Sequence, residues 1–131
     1  MNLLIGFGTD DGKHLSDGHA GDAKYIHVFR FTESGEEFVE ARQNIDLDAN
    51  PPLKPGTPEM AKARGRIFKH LDVLAGRKFG PGLPNLLKKF VCVIIRVDRI
   101  ADAIQMIHEN PDKIQAEVDK GENRKHLVLE P

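Results

Sequence analysis

The chain has 131 residues, 40% of them hydrophobic and 30% charged, and a net charge of −1. That length suits one domain with its own core, and the interspersed acids and bases offer no basic face to recommend a nucleic-acid partner. No apolar run approaches the ~20 residues that span a bilayer, so no membrane partner is expected. Met1-Asn2-Leu3-Leu4-Ile5 lacks a basic start and a long apolar stretch, so no signal peptide is expected either. A single cysteine, Cys92, excludes an internal disulfide and fits a reducing cytoplasm.

The first strand is expected over 2–8, nearly all apolar and so buried on both faces, as at the centre of a covered sheet. A second is expected over 24–32, with Tyr25, His27, Phe29 and Phe31 on one face and Ile26, Val28 and Arg30 on the other. Thr32-Glu33-Ser34-Gly35 is a turn, and Glu36 to Asn44 reads as a third strand, with Phe38 and Val39 its strongest members. So short a turn makes the pair an antiparallel hairpin. Residues 45–57, with three prolines, are an irregular connection: a lid over a site, or a plain linker.

Thr57-Pro58-Glu59 predicts a helix start, followed by Met60, Ala63, Ile67, Phe68 and Leu71 at helical spacing. A fourth strand is expected over 71–76, a second helix carrying Leu83, Leu86, Leu87 and Phe90, and a β-branched fifth strand over 91–97. Asp98 is expected to cap a third helix with Ile100, Ala103, Ile104 and Ile107 inward. Asn110-Pro111 opens a last helix with Ile114 and Val118 inward and Gly121 past its end. Leu127-Val128-Leu129 is read either as an edge strand or as a segment docked on a helix. Crossovers impose parallel strands and right-handed connections, which gives a mixed five-stranded sheet covered by helices, with strand 1 central.

In such a sheet, ligands bind beyond the carboxyl ends of parallel neighbours. If strands 1 and 4 are neighbours, the meeting loops are 9–22, with His14 and His19, and 76–82, Gly-Arg-Lys-Phe-Gly-Pro-Gly. The first is dense in turn formers, and a solvated connection is its plain reading. The second offers backbone N–H groups, a helix start and two cations, Arg77 and Lys78, a combination that favours an anion.

Ser16-Asp17-Gly18-His19-Ala20-Gly21-Asp22-Ala23-Lys24-Tyr25-Ile26 resembles the Ser-x-x-His-Phe-Gly-x-Ala-x-x-Phe signature of the dinitrogenase iron-molybdenum cofactor biosynthesis family. Gly76 with Gly80-Pro81-Gly82 resembles a second family feature, a strand ending in Gly followed by a Gly-Pro-Gly turn and a helix. The resemblance covers about residues 2–97, with a short helical extension of the single domain from about 98. It implies a ribonuclease H-like three-layer fold, sheet order 3-2-1-4-5 with strand 2 antiparallel. It further implies a carrier for an iron-molybdenum or iron–sulfur type cluster, with nitrogen fixation as a setting, cluster-assembly or acceptor proteins as partners, and no catalysis. His19 would be the metal ligand, an imidazole being a suitable donor to iron. Gly21, Arg77, Lys78, Gly80 and Gly82 would form the rest of the cluster site. Two departures stand out: Ala20 replaces the usual Phe, which would widen the pocket or remove a packing anchor, and Pro55-Gly56-Thr57-Pro58 lacks the family's histidine.

Other residues read as structural. Cys92 inside an apolar strand is expected to be a small buried hydrophobe, since iron–sulfur clusters usually rest on several thiolates. His27 alternates with aromatics, and His70 and His108 stand at helix ends. Two rival functions follow from the same fold. One is an interaction module without a ligand. The other is a metal-dependent nuclease using Asp10, Asp11, Asp17, Asp22 and Asp72, which would require carboxylates converging on two ions.

Overall fold

The computed structural model describes residues 1–45 and 57–131. The lid or linker expected over 45–57 lies almost wholly outside the described residues. Six strands form one mixed sheet: β1 (Asn2–Thr9), β2 (Tyr25–Thr32), β3 (Gly35–Gln43), β4 (Val73–Gly76), β5 (Val91–Ile95) and β6 (Leu127–Leu129). Their order is β3-β2-β1-β4-β5-β6. β2 is antiparallel to β1 and β3, and β4 runs parallel to β1, β5 to β4, and β6 to β5. The expected order 3-2-1-4-5 is therefore present, but the sheet has six strands rather than five. Leu127-Val128-Leu129 is the sixth, paired with Val93, Ile94 and Ile95.

Among the described residues, four α-helices cover the sheet. α1 (Pro58–Ile67) and α2 (Leu83–Leu87) lie on one face, and α3 (Ile100–Glu109) and α4 (Pro111–Asp119) on the other. β1 supplies both cores. Leu3, Ile5 and Phe7 join Ile100, Ala103, Ile107 and Ile114 on the α3–α4 side. Leu4 joins Ile26, Val28, Ile67 and Leu74 on the other. Each such side chain contributes about 1.5–3 kcal/mol on full burial, so the nearly unbroken apolar run of β1 stabilises two layers at once. The residues from 98 onward supply one whole helical layer of that arrangement.

The expected start of α1 is present: the Thr57 hydroxyl accepts from the Met60 N–H at 3.3 Å, and Pro58 is the first helical residue. The expected cap of α3 is not. Arg99 holds the N-cap position without a side-chain bond. The Asp98 carbonyl accepts from Leu15 N–H at 2.8 Å, and its carboxylate lies 3.3 Å from Arg77 Nη1. Tertiary partners have taken the group that local pattern assigned to the helix. β4 begins two residues later than expected, because Asp72 clamps onto β1 instead: its N–H donates to Leu4 O, and its carboxylate accepts from Leu4 N–H, both at 2.8 Å. β3 is an edge strand, so Phe38 is 51% exposed despite its β propensity, and a register shift at Val28/Phe29 leaves Val39 without an opposite residue.

Candidate functional site

The C-terminal ends of β1 and β4 open at the same sheet edge, and the loop after β1 fills the space above them. Its first half is held by its own polar side chains. Buried Thr9 accepts from Gly12 N–H at 2.9 Å and donates to the His14 carbonyl. Asp11 Oδ1 accepts from Lys13 and His14 N–H, both at 2.8 Å, and Asp11 Oδ2 meets His14 Nδ1 at 2.7 Å. The His14 and Lys13 backbone bonds, then the His14 ring, hold the Asp11 carboxyl well below the usual carboxylate range. Gly12 adopts φ +81°, and a Cβ there would lie 3.0 Å from His27 Cε1. His27 is thus structural; burial lowers its pKa, partly offset by the charge of Asp11.

The second half is held mainly by backbone bonds and by fit, with Ser16 Oγ accepting from Gly18 N–H at 3.2 Å and donating to Asp10 at 3.3 Å. Ser16 N–H donates to Gly8 O at 2.9 Å, and Ala20 N–H to Lys78 O at 2.8 Å. His19 is bridged in parallel to Lys78. Ala20, 1% exposed, seats between the two strand ends: a Cβ on Gly8 would come within 2.5 Å of Ala20 O, and one on Gly76 within 2.4 Å of Ala20 Cβ. Ala20 therefore neither widens a pocket nor removes an anchor; its methyl packs where Gly76 makes room for it, and Gly8 makes room for its backbone.

With its backbone fixed, His19 turns its ring outward, 49% exposed, over the 76–82 loop. A Cβ on Gly80 would fall 2.6 Å from His19 Nδ1. Asp22 Oδ2 stands 3.6 Å from the same nitrogen, and Asp22 Oδ1 is paired with Arg64 Nη2 at 3.1 Å. His19, Lys78 and Gly80 are thus brought together. Gly82 stands beside open space and caps α2. Gly21 faces α1 instead: a Cβ there would meet Phe68 Cζ at 3.6 Å, and its carbonyl accepts from Asn44 Nδ2 at 2.8 Å.

Two expected anion-binding features are altered. Arg77 is ion-paired, its Nη1 2.7 Å from Asp17 Oδ1 and 3.3 Å from Asp98 Oδ1, because these acids converge on it from neighbouring loops. The first turn of α2 offers no N–H: Leu83 donates to Gly80 O, Pro84 has none to give, and Asn85 donates to Gly82 O. Among the described residues, Lys78 makes no ion pair, and the N–H groups of Gly80 and Gly82 donate to no backbone acceptor. Gly8, near the end of the first strand, is expected from sequence to leave room for another backbone or a ligand, and the Ala20 backbone comes there. Gly76 reads only as part of a turn feature and Asp22 only as a nuclease carboxylate, so sequence reasoning missed their places beside Ala20 and His19. The signals were present: Asp22 is three residues after His19, and each glycine stands at or one short of a strand end.

The carboxylates named for a nuclease each have a partner. Asp10 accepts from Lys24 N–H at 2.9 Å, Asp22 pairs with Arg64, and Asp72 sits at the opposite end of β4. Asp10, Asp11, Asp17 and Asp98 line a cleft of about 440 Å³, with Arg77 among them. Among the described residues, no three His, Cys, Asp or Glu side chains group so as to hold a metal ion. Cys92 is fully buried on β5, and burial pushes its thiol up to about 12. No described helix is long and apolar enough to cross a membrane. Family models and curated proteins give no match to this chain.

Proposed function

We propose that the chain is a carrier for an anionic iron–sulfur or iron–molybdenum–sulfur cluster, bound through His19 at the edge of a ribonuclease H-like fold. One observation carries this reading: the two segments that resemble the cofactor-biosynthesis family, about 60 residues apart, lie side by side with the His19 ring directly over Gly80. Glycine at 80 is what the ring's position requires, since any Cβ would meet Nδ1.

The donor set fits a cargo that brings most of its own ligands. Such a cluster carries its own sulfides and asks the protein for one or two bonds. Asp22, 3.6 Å from Nδ1, is beyond hydrogen-bond length but favours Nδ1 as the protonated nitrogen. Nε2 is then the donor to iron. Lys78 supplies the positive charge, since Arg77 is engaged by Asp17 and Asp98. Gly80 and Gly82 supply backbone N–H groups to sulfide or carboxylate oxygen. The partners of such a carrier are the proteins that build the cluster and those that accept it.

Anaerobic reconstitution with iron, sulfide and molybdate tests this, read by metal analysis and a visible spectrum. A coloured protein with stoichiometric metal is expected. A colourless protein would contradict the reading, and cleavage of RNA or DNA with magnesium by that protein would favour the nuclease.

A further inference from the structure

A second cleft, of about 580 Å³, lies on the other side of His14, between the loop after β1 and the start of α3. Its walls include Gly12, Lys13, His14, Phe29, Arg99 and Ile104, and no carboxylate lines it. That contrasts with the adjoining cleft, where four Asp side chains surround Arg77. The floor is aromatic and aliphatic. Phe29 packs edge-on against Phe7 at 5.6 Å and against Phe38 at 5.3 Å, which fixes its ring. The rim is cationic. Among the described residues neither Lys13 nor Arg99 makes an ion pair, in contrast to Arg77 in the adjoining cleft. The two rim segments are tied together: His14 and Arg99 form an antiparallel bridge, Leu15 N–H donates to Asp98 O at 2.8 Å, and Ile100 N–H donates to Lys13 O at 2.9 Å. Both cations therefore stand on backbone that is already ordered, which reduces the ordering cost of binding.

From this geometry we propose that the cleft is a binding site for a small organic acid with a one- or two-ring apolar body, separate from the His19 site. The ring system lies on Phe29 and Ile104, and the carboxylate lies between Lys13 and Arg99. Charge decides the class. Two unpaired cations beside an apolar floor complement an anion with an apolar tail, and the guanidinium fork matches a carboxylate. Volume decides the size: about 580 Å³ falls within the range of small-molecule pockets and is too little to seat a folded partner. His14 is a shared wall, held by Asp11 on the acidic side.

The test titrates the whole chain with naphthoate and, separately, with its neutral isostere naphthamide, read by calorimetry and by backbone amide shifts. Naphthoate should bind saturably and shift the amides of Gly12 and Ala101. Naphthamide should bind about tenfold more weakly, the loss expected when a charge-assisted bond is removed. The Lys13→Ala/Arg99→Ala double variant should lose naphthoate affinity to the same degree while keeping its circular dichroism, since both side chains are exposed. Ile104→Glu should abolish binding of both compounds. Equal affinity for acid and amide would overturn the proposal, as would unchanged affinity in the double variant. So would shifts centred on exposed Phe38 and Tyr25, no saturation at about millimolar naphthoate, or concentration-dependent self-association at these same amides.

Discussion

The two halves of the loop after β1 hold the same mixture of Asp, Gly, Ser and His, yet the sheet edge uses them in opposite ways. In the first half, Thr9 and Asp11 satisfy the backbone N–H groups of Gly12, Lys13 and His14, and His14 Nδ1 is bound back onto Asp11. In the second half, the backbone is tied by Gly8 and Lys78 from the two strands, and Ala20 fits between glycines. The difference shows in the two rings. Both are about half exposed, but His14 Nδ1 is bound to Asp11 at 2.7 Å, whereas the nearest carboxylate to His19 Nδ1 stands 3.6 Å away.

This contrast can be broken from either side. The largest effect is expected from Ala20→Phe, which places there the aromatic of the signature that this segment resembles, at the expense of the fit. A phenyl ring has no room against Gly76, so the unfolding free energy should fall by about 3 kcal/mol, the upper end of the usual over-packing range, measured by urea denaturation. Survival of full stability would mean that steric fit does not hold the second half. Next is Thr9→Val in the first half. It keeps the shape but strips the partner from Gly12 N–H, and should cost about 1–3 kcal/mol in the same measurement.

A smaller effect concerns pH. The carboxyl of Asp11 is depressed in the folded state, so its contribution is present above its ordinary pKa of about 3.8 and is lost as pH falls through the folded value. Stability of the native chain should therefore decline below about pH 4, and Asp11→Asn should lower stability near neutrality and flatten that decline, so that the two proteins converge in acid. The smallest effect is at Cys92, outside both halves. Its buried thiol, pushed up to about 12, should react with a thiol reagent at neutral pH only as fast as the protein opens. Rapid labelling of native protein would show that β5 is accessible.

Much of the fold was legible because its signals are local. The apolar run of β1, the β-branched run of β5 and the Thr57-Pro58 helix start each announce themselves within a few residues. The meeting of loops 9–22 and 76–82 followed from topology, once β1 and β4 were read as parallel neighbours. The rest depended on contacts between distant positions. Arg77 reads as a free cation in its own loop, and only the folded chain brings Asp17 and Asp98 to it. Ala20 reads as a missing aromatic until Gly76 is seen to leave room for no more than a methyl there. β6 is three residues inside a polar tail, too short for periodicity to separate a strand from a docked segment.

The measurement that bears most directly on the central claim compares cluster loading in wild type, His19→Ala, His14→Ala and Gly80→Ala after anaerobic reconstitution, with thermal unfolding run on each protein. Removal of a metal site's outer partner typically costs ~10–100-fold in affinity, and loss of the ligand at least that. His19→Ala should lose the cluster at unchanged melting temperature, and Gly80→Ala should follow it by displacing the ring. His14→Ala should load nearly as wild type does. Equal loading of wild type and His19→Ala would remove His19 as the ligand and contradict the account.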